Sequence, residues 1–400
     1  MSEESKAGGS TADQKALDAI IADSDTGGRN PTGISKQVLW FVPLSWALFQ
    51  VWYASPLPYI FNIGLFNSTE ARSIHLAFAV FLAFTAFPTF KTSPRDFIPI
   101  QDWVVALVGA FCAGYLFLFY AELAERPGLP TDMDIIVSCL GLVLILEATR
   151  RALGPPLMIV ALVFMGYTFF GHLAPDMIAW KGASLGKAMS HFYLTTEGIF
   201  GVALGVSTSL VFLFVLFGSL LEKAGAGNYF IRVAFALMGH MRGGPAKAAV
   251  VSSGLTGLVS GSAIANVVTT GTFTIPLMKK VGFSAEKAGA VEVASSTNGQ
   301  LTPPVMGAVA FLMVEFVGIS YPEVIKHAAL PALISYIALV YIVHLEAVKA
   351  GMKGLPRKHV PTIVQSALGF GGTFVGLAVI SAATYYGFGW TKVAFGDATI

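Results

Sequence analysis

Charged residues are scarce in this sequence. Asp, Glu, Lys and Arg together make up 12% of the 400 residues, whereas hydrophobic residues make up 55%. Soluble globular domains carry about 25% charged residues. The mean hydropathy is +0.70. This composition excludes an ordinary soluble enzyme, and the net charge of +2 with no basic run among aromatics gives no basis for nucleic-acid binding.

Cysteine is also rare. The two cysteines, Cys112 and Cys139, lie inside apolar stretches, and the sequence has no CxxC pair and no Cys/His ligand spacing. A disulfide framework and a zinc site are therefore unsupported, and no cofactor is expected. Both cysteines are expected to be small core residues.

Glycine and proline are abundant despite the apolar composition, with 42 and 20 copies. Both are tolerated inside transmembrane helices. Residues 1–36 differ, because they are polar and mix basic with acidic side chains. They lack the pattern of a cleaved signal peptide. We predict a disordered cytoplasmic tail over 1–36, followed by helices that stay in the lipid bilayer.

Long apolar runs fill the rest of the chain. A bilayer core requires about 20 apolar residues per helix. Candidate spans are 38–61, 74–90, 103–120, 133–149, 155–173, 199–221, 330–347 and 363–390. The fourth and fifth spans, 133–149 and 155–173, are predicted to form a tight hairpin. The predicted fold is an all-α integral membrane protein, a multi-span helical bundle.

The distribution of Lys and Arg sets the expected orientation. With the N-terminus in the cytoplasm, the inside segments up to Lys247 hold twelve basic residues and the outside loops hold four. This count predicts that Thr131 lies outside and that Lys279 and Lys280 lie inside.

Two segments depart from simple spans. Residues 248–278 are apolar but crowded with Gly, Ser, Thr and Asn, and basic residues flank both ends. A segment with both ends in the cytoplasm is predicted to be a re-entrant hairpin, over 248–280. Residues 285–317 form a second unusual span, which we predict to be non-helical over 295–300, ahead of Pro303 and Pro304.

Non-helical backbone at membrane depth is tolerated only where protein or a water-filled cavity satisfies its polar groups. Breaks at 260–266 and 295–300 are therefore typical of a transport site near the midplane. Unwound turns expose carbonyls to a cation such as Na⁺, and half-helix N-termini attract an anion. The alternative for the first break is simple helix packing, because Gly257 and Gly261 form a small-xxx-small pair.

Several consecutive motifs are distinctive. They are GGPAK at 243–247, SGSAIANVVTTG at 260–271, TIPLMKK at 274–280, YLTTEGIFG at 193–201 and EATRR at 147–151. From about 131 to 358 the sequence resembles the large membrane subunit of tripartite ATP-independent periplasmic (TRAP) transporters. The last two motifs resemble the TAXI-type branch, in which small and large membrane subunits are fused.

The resemblance implies a small-subunit-like domain over 37–125 and a large-subunit-like first repeat over 131–360. It implies an elevator-type, ion-coupled permease of the bacterial inner membrane that imports small organic anions with a Na⁺ gradient and is fed by a periplasmic TAXI-type substrate-binding protein. The implied Na⁺ residues are Ser260, Gly261, Ser262, Ser295 and Gly299. The implied substrate residues are Asn266, Ser296, Thr297, Asn298 and Gln300.

The family builds its transport domain from two inverted repeats, but here the second is incomplete. Residues 361–400 resemble only the first span of that repeat, which implies a truncated chain. A non-transporting scaffold subunit or inactive fragment is therefore an alternative. A remoter alternative is an intramembrane hydrolase with Ser260 or Ser262 as nucleophile.

Overall fold

A computed structural model describes residues 28–90, 92–223, 225–303, 306–352, 354 and 362. Every regular element over these residues is helical, as the sequence predicts. The chain divides into two compact units, Met1–Ser209 and Leu210–Ile400.

The first unit contains nine α-helices in its described part. They are α1 (Gly33–Ala54), α2 (Leu57–Phe61), α3 (Ser68–Ala86), α4 (Ile100–Leu118), α5 (Tyr120–Ala124), α6 (Asp132–Leu153), α7 (Pro155–Phe170), α8 (Leu185–Met189) and α9 (Val202–Val206). Helices α3 and α4 pack along each other around Phe84 and Ala106. The tight hairpin predicted after α6 is present, because the single residue Gly154, with φ of +86°, joins α6 to α7.

The second unit contains seven α-helices in its described part. They are α10 (Phe212–Lys223), α11 (Ala226–Met238), α12 (Gly244–Ser260), α13 (Ala263–Lys280), α14 (Ala285–Gly299), α15 (Ala308–Val317) and α16 (Tyr321–Lys349). Helices α12, α13 and α14 pack against one another, and α16 packs against α12 and α14. Their shared core includes Val250, Met278 and Val343.

Within the part of the chain that the structure describes, four segments are long and apolar enough to cross a membrane: Ile100–Leu118, Pro155–Leu173, Val202–Leu221 and Tyr321–Lys349. Each overlaps a span predicted from the sequence. The chain is a multi-pass helical membrane protein. The third segment is not a uniform α-helix, because a π-helical turn over Ser207–Val211 separates α9 from α10.

The predicted N-terminal tail ends earlier than residue 36. Residues 1–27 lie outside the described residues, but Arg29 is buried and α1 begins at Gly33. The Arg29 guanidinium donates to Asp102 and to the carbonyls of Phe84 and Thr85. Arg151 donates to the same Asp102 carboxylate at 2.9 Å. Pairing with this buried carboxylate draws the chain into the fold from residue 28 onward.

The structural division also differs from the predicted boundary near residue 130. It falls at Ser209, because α6 packs against α3 and α4 and so joins the first unit. The predicted first span of a second repeat, 361–400, lies outside the described residues except for residue 362.

The prediction of a non-helical stretch over 295–300 is wrong for every residue except Gln300. Helix α14 continues through Gly299, and the described residues that follow it, 300–303 and 306–307, are not helical. The hydroxyls of Ser295 and Thr297 donate back to the carbonyls of Val291 and Val293. These local bonds leave the helix intact, so polar residues alone do not break it.

Candidate functional site

Helices α12 and α13 form a helical hairpin. Only Gly261 and Ser262 lie outside the helices, whereas the predicted break extended over 260–266. Gly261 has φ of +58°, a left-handed conformation that glycine adopts without the steric cost of a Cβ. Beyond the turn, Ser253 Oγ lies 3.0 Å from Thr270 Oγ1, which shows that the two helices run antiparallel.

The backbone of α14 packs directly against the backbone of this hairpin. A Cβ added to Gly257 would lie 2.5 Å from the Cα of Gly299, and a Cβ added to Gly299 would lie 2.9 Å from the Cα of Gly257. Small residues at both positions therefore allow the two backbones to touch. The packing alternative for Gly257 is correct, while Gly261 forms the turn.

A buried carboxylate connects the three helices. Glu292 of α14 is 0% exposed. Its Oε1 accepts hydrogen bonds from Ser253 Oγ (2.8 Å), Ser296 Oγ (3.2 Å) and Thr270 Oγ1, and its Oε2 accepts from Thr274 Oγ1 (2.5 Å). We call Glu292 with these four hydroxyl side chains the Glu292 cage. It holds hairpin and α14 together through polar contacts in a buried setting.

Asn266 lies one turn into α13 rather than at the hairpin tip. It is fully buried, and its Nδ2 donates to the carbonyl oxygen of Ser253 at 2.8 Å. Its Oδ1 is buried with no hydrogen-bond partner among the described residues. A Cβ on Gly299 would lie 3.4 Å from the Asn266 Nδ2, so this amide sits beside the end of α14.

Residues 300–303 and 306–307, which follow α14, are not helical. The Gly307 N–H donates to the Gln300 carbonyl at 2.8 Å, and Thr302 Oγ1 donates to the Asn298 carbonyl at 2.8 Å. Met306 has φ of +56°, which is unusual for a residue with a side chain. Tyr336 of α16 donates to the Ser295 carbonyl at 3.3 Å and so supports the end of α14.

The groups near both irregular turns are hydroxyl, amide and backbone carbonyl oxygens. These are the oxygen ligands that hard cations take, and they also hydrogen-bond polar solutes. The described residues contain no group of three or more His, Cys, Asp or Glu side chains that could hold a metal ion. The arrangement is suited to binding and not to covalent chemistry.

Comparison with known proteins identifies the family. Residues 140–399 match the family model of the tripartite ATP-independent periplasmic transporter, DctM component, which is more than half of the chain. The chain belongs to the DctM family. The hairpin, the Glu292 cage and the irregular end of α14 all lie within the matched range.

Curated relatives agree with the family assignment. An uncharacterized protein, y4mL of Sinorhizobium fredii, is 30% identical over 159 residues, 39% of this chain and 38% of the relative. The C4-dicarboxylate TRAP transporter large permease protein DctM of Vibrio cholerae is 30% identical over 145 residues, 36% and 31% of the two chains. The ectoine TRAP transporter large permease protein TeaC of Halomonas elongata is 33% identical over 99 residues, 25% and 23%.

The chain aligns with less than two fifths of the length of each of these three relatives. The matched family and the named relatives are membrane transport components, so the comparisons give the hydrolase alternative no support.

The predicted site residues of this DctM-family chain take different positions. Asn266, Ser296 and Gly299 are buried at the contact between the hairpin and α14. Ser295 is buried, and Asn298 is half-buried. Ser262, Thr297 and Gln300 are exposed, and Gly261 is half-buried. Ser260 is the last residue of α12. Their assignment to Na⁺ or substrate stays a prediction.

The cage is the part that sequence reasoning missed. Glu292 is a carboxylate within an apolar run, which by itself makes it a functional candidate, whereas nothing comparable marks Ser253, Thr270 or Thr274. A signal was available, because Asn266, Thr270 and Thr274 recur every four residues and so share one face of α13. A polar stripe of this spacing on an apolar helix indicates a buried polar partner.

Proposed function

We propose that this chain is the membrane permease of a TAXI-type TRAP secondary transporter of the bacterial inner membrane. It imports small organic anions with a Na⁺ gradient by an elevator mechanism, and a periplasmic TAXI-type binding protein delivers them. The N-terminus faces the cytoplasm. The DctM-family match and the TAXI-like motifs at 147–151 and 193–201 support this proposal.

The observation that carries the proposal is the pair of irregular turns on one packed helix group. One is the Gly261–Ser262 turn of the hairpin, and the other comprises the non-helical residues 300–303 and 306–307 that follow α14. Gly257, Gly299 and the Glu292 cage join these helices closely. Interrupted helices of this kind mark the substrate and ion sites of secondary transporters.

The residues present fit a hard cation such as Na⁺. Carbonyls and hydroxyls at the two turns supply neutral oxygen ligands, and the Asn266 amide, whose Oδ1 has no hydrogen-bond partner among the described residues, lies beside the end of α14. Ser260, Gly261, Ser262, Ser295 and Gly299 are the proposed Na⁺ residues. Bound Na⁺ supplies positive charge next to an anionic solute.

The substrate residues of the proposal are Asn266, Ser296, Thr297, Asn298 and Gln300. Helix α15 begins at Ala308, directly after the irregular segment, and a helix N-terminus favours an anionic group. Curated relatives are named for C4-dicarboxylates and for ectoine, both small polar solutes. A carboxylate-bearing solute is therefore the substrate class that we propose.

Uptake into proteoliposomes tests the proposal. Vesicles containing the full chain and a TAXI-type binding protein are supplied with radiolabelled succinate or glutamate, and a Na⁺ gradient, a proton gradient or ATP is imposed separately. We expect accumulation with the Na⁺ gradient and none with ATP alone. If the binding protein docked on the chain but no gradient drove solute accumulation, the result would favour the scaffold alternative.

A further inference from the structure

The Glu292 cage contains more hydrogen-bond-length oxygen pairs than it has protons. Four pairs join Glu292 to the hydroxyls of Ser253, Thr270, Thr274 and Ser296. Two more join Ser253 Oγ to Thr270 Oγ1 (3.0 Å) and to Ser296 Oγ (3.1 Å). In the last two pairs, Thr270 Oγ1 lies 2.8 Å from the Asn266 carbonyl oxygen, and Thr274 Oγ1 lies 2.9 Å from the Thr270 carbonyl oxygen.

These eight pairs share four hydroxyl protons if Glu292 is ionised. A hydroxyl has one proton to donate, and an ionised carboxylate has none. The four hydroxyl protons suffice for the four contacts to the carboxylate, which leaves the other four pairs without a proton. A proton on the carboxyl would supply a fifth and would remove the buried negative charge, which is costly in an environment of low dielectric.

The spacing of the oxygens decides which cation fits. The hydroxyl oxygens of Ser253, Thr274 and Ser296 lie 2.5–3.2 Å from the carboxylate oxygens of Glu292. A hard cation stands about 2.3–2.6 Å from each ligand, so neighbouring ligand oxygens would be roughly 3.3 Å apart or more. The cage is too tight for Na⁺ and has the spacing of hydrogen bonds.

Charged groups on the surrounding helices do not neutralise Glu292. Helix α12 has Lys247, whose Nζ lies 2.9 Å from His344 Nδ1 of α16, and α14 has Lys287, which pairs with Glu346 of α16. Tyr336 of α16 bonds the Ser295 carbonyl, Glu286 is exposed, and Lys279 and Lys280 at the end of α13 are exposed. No Lys, Arg or His within the described ranges forms an ion pair with Glu292.

We propose that the Glu292 cage is a proton-binding site that couples protonation to docking of the α12–α13 hairpin on α14. The proton comes from water and binds Glu292 Oε2, whose O–H donates to Thr274 Oγ1. The Thr274 hydroxyl in turn donates to the Thr270 carbonyl, and Oε1 accepts from Ser253 and Thr270. Release of the proton leaves an unpaired buried charge, which favours separation of the helices and entry of water.

The coupling to docking rests on the proposed function, because only a transporter would need this interface to open. The proton site itself does not depend on the proposed function. Infrared difference spectroscopy of the purified full chain measures protonated carboxyl groups directly through their C=O stretch, with no substrate or transport required.

The test compares wild type with Glu292→Gln at neutral pH, with Glu286→Gln as the matched control on the exposed side of the same helix. We expect a carboxyl C=O band that shifts in D₂O, persists in Glu286→Gln and is lost in Glu292→Gln. Identical bands in wild type and Glu292→Gln would overturn the proposal.

A second variant covers the case in which Glu292→Gln does not fold. Thr274→Val keeps the carboxyl but removes its hydrogen-bond acceptor at Oε2. We expect the same band to remain and to move to the higher frequency of a less strongly bonded carboxyl. An unchanged band position, or no band in folded wild type, would overturn the assignment.

Discussion

Gly257 and Gly299 meet with no side chain between them. The Cβ position of each falls within 3 Å of the other residue's Cα. This contact lies beside Asn266 and the end of α14. A site built from backbone carbonyls and short side chains requires such an approach, because longer side chains would fill the space.

Gly257→Ala tests this contact. The added methyl group cannot be accommodated by a rotamer change, because it meets backbone, and overpacking of this kind costs about 1–3 kcal/mol. We expect a lower apparent melting temperature in detergent. Gly289→Ala on α14 is the control, since its Cβ would meet nothing within 4 Å. Equal melting temperatures for the two variants would contradict the close packing.

Asp102→Ala tests the network that holds residue 29 in the fold. Arg29 and Arg151 both pair with this carboxylate, and all three side chains are nearly inaccessible. Removing one member of a buried pair leaves an uncompensated charge, so the free energy of unfolding should fall by about 3–5 kcal/mol. Glu286→Gln, at an exposed carboxylate, should change little. If Asp102→Ala unfolded at the same denaturant concentration as Glu286→Gln, the stabilising role of Asp102 would be refuted.

Orientation is tested by cysteine labelling of intact cells with a membrane-impermeant maleimide. The background carries Cys112→Ala and Cys139→Ala. Leu129→Cys is preferable to a cysteine at Thr131, because Thr131 Oγ1 caps α6 by accepting from Asp134 N–H, whereas Leu129 is 75% exposed. We expect labelling at Leu129→Cys and none at Lys280→Cys. The reverse pattern would invert the topology.

The sequence predicts the helical class and the main spans well because hydropathy is a local property of long runs. It also locates the hairpin turn, because Gly261 must adopt a left-handed conformation that few residues tolerate. It fails at 295–300, where Ser295 and Thr297 bond their own helix and so preserve it.

The Glu292 cage could not be predicted in full, because it depends on tertiary contacts. Ser253, Thr270 and Glu292 come from three helices, and only their packing shows that the hydroxyls converge on the carboxylate. The division of the chain at Ser209 has the same origin, since it depends on packing of α6 against α3 and α4 and not on composition.

The most direct test of the proposed transport site is succinate or glutamate uptake by Asn298→Ala in proteoliposomes with the binding protein and a Na⁺ gradient. Asn298 is half-buried at the end of α14, and losing a hydrogen-bonding amide costs about 1–3 kcal/mol, or roughly 5- to 150-fold in affinity. Val293→Ala, at an exposed position of the same helix, is the control. We predict a raised apparent KM for Asn298→Ala with an unchanged melting temperature. Uptake equal to wild type, or uptake indifferent to Na⁺ and proton gradients, would contradict the proposed site.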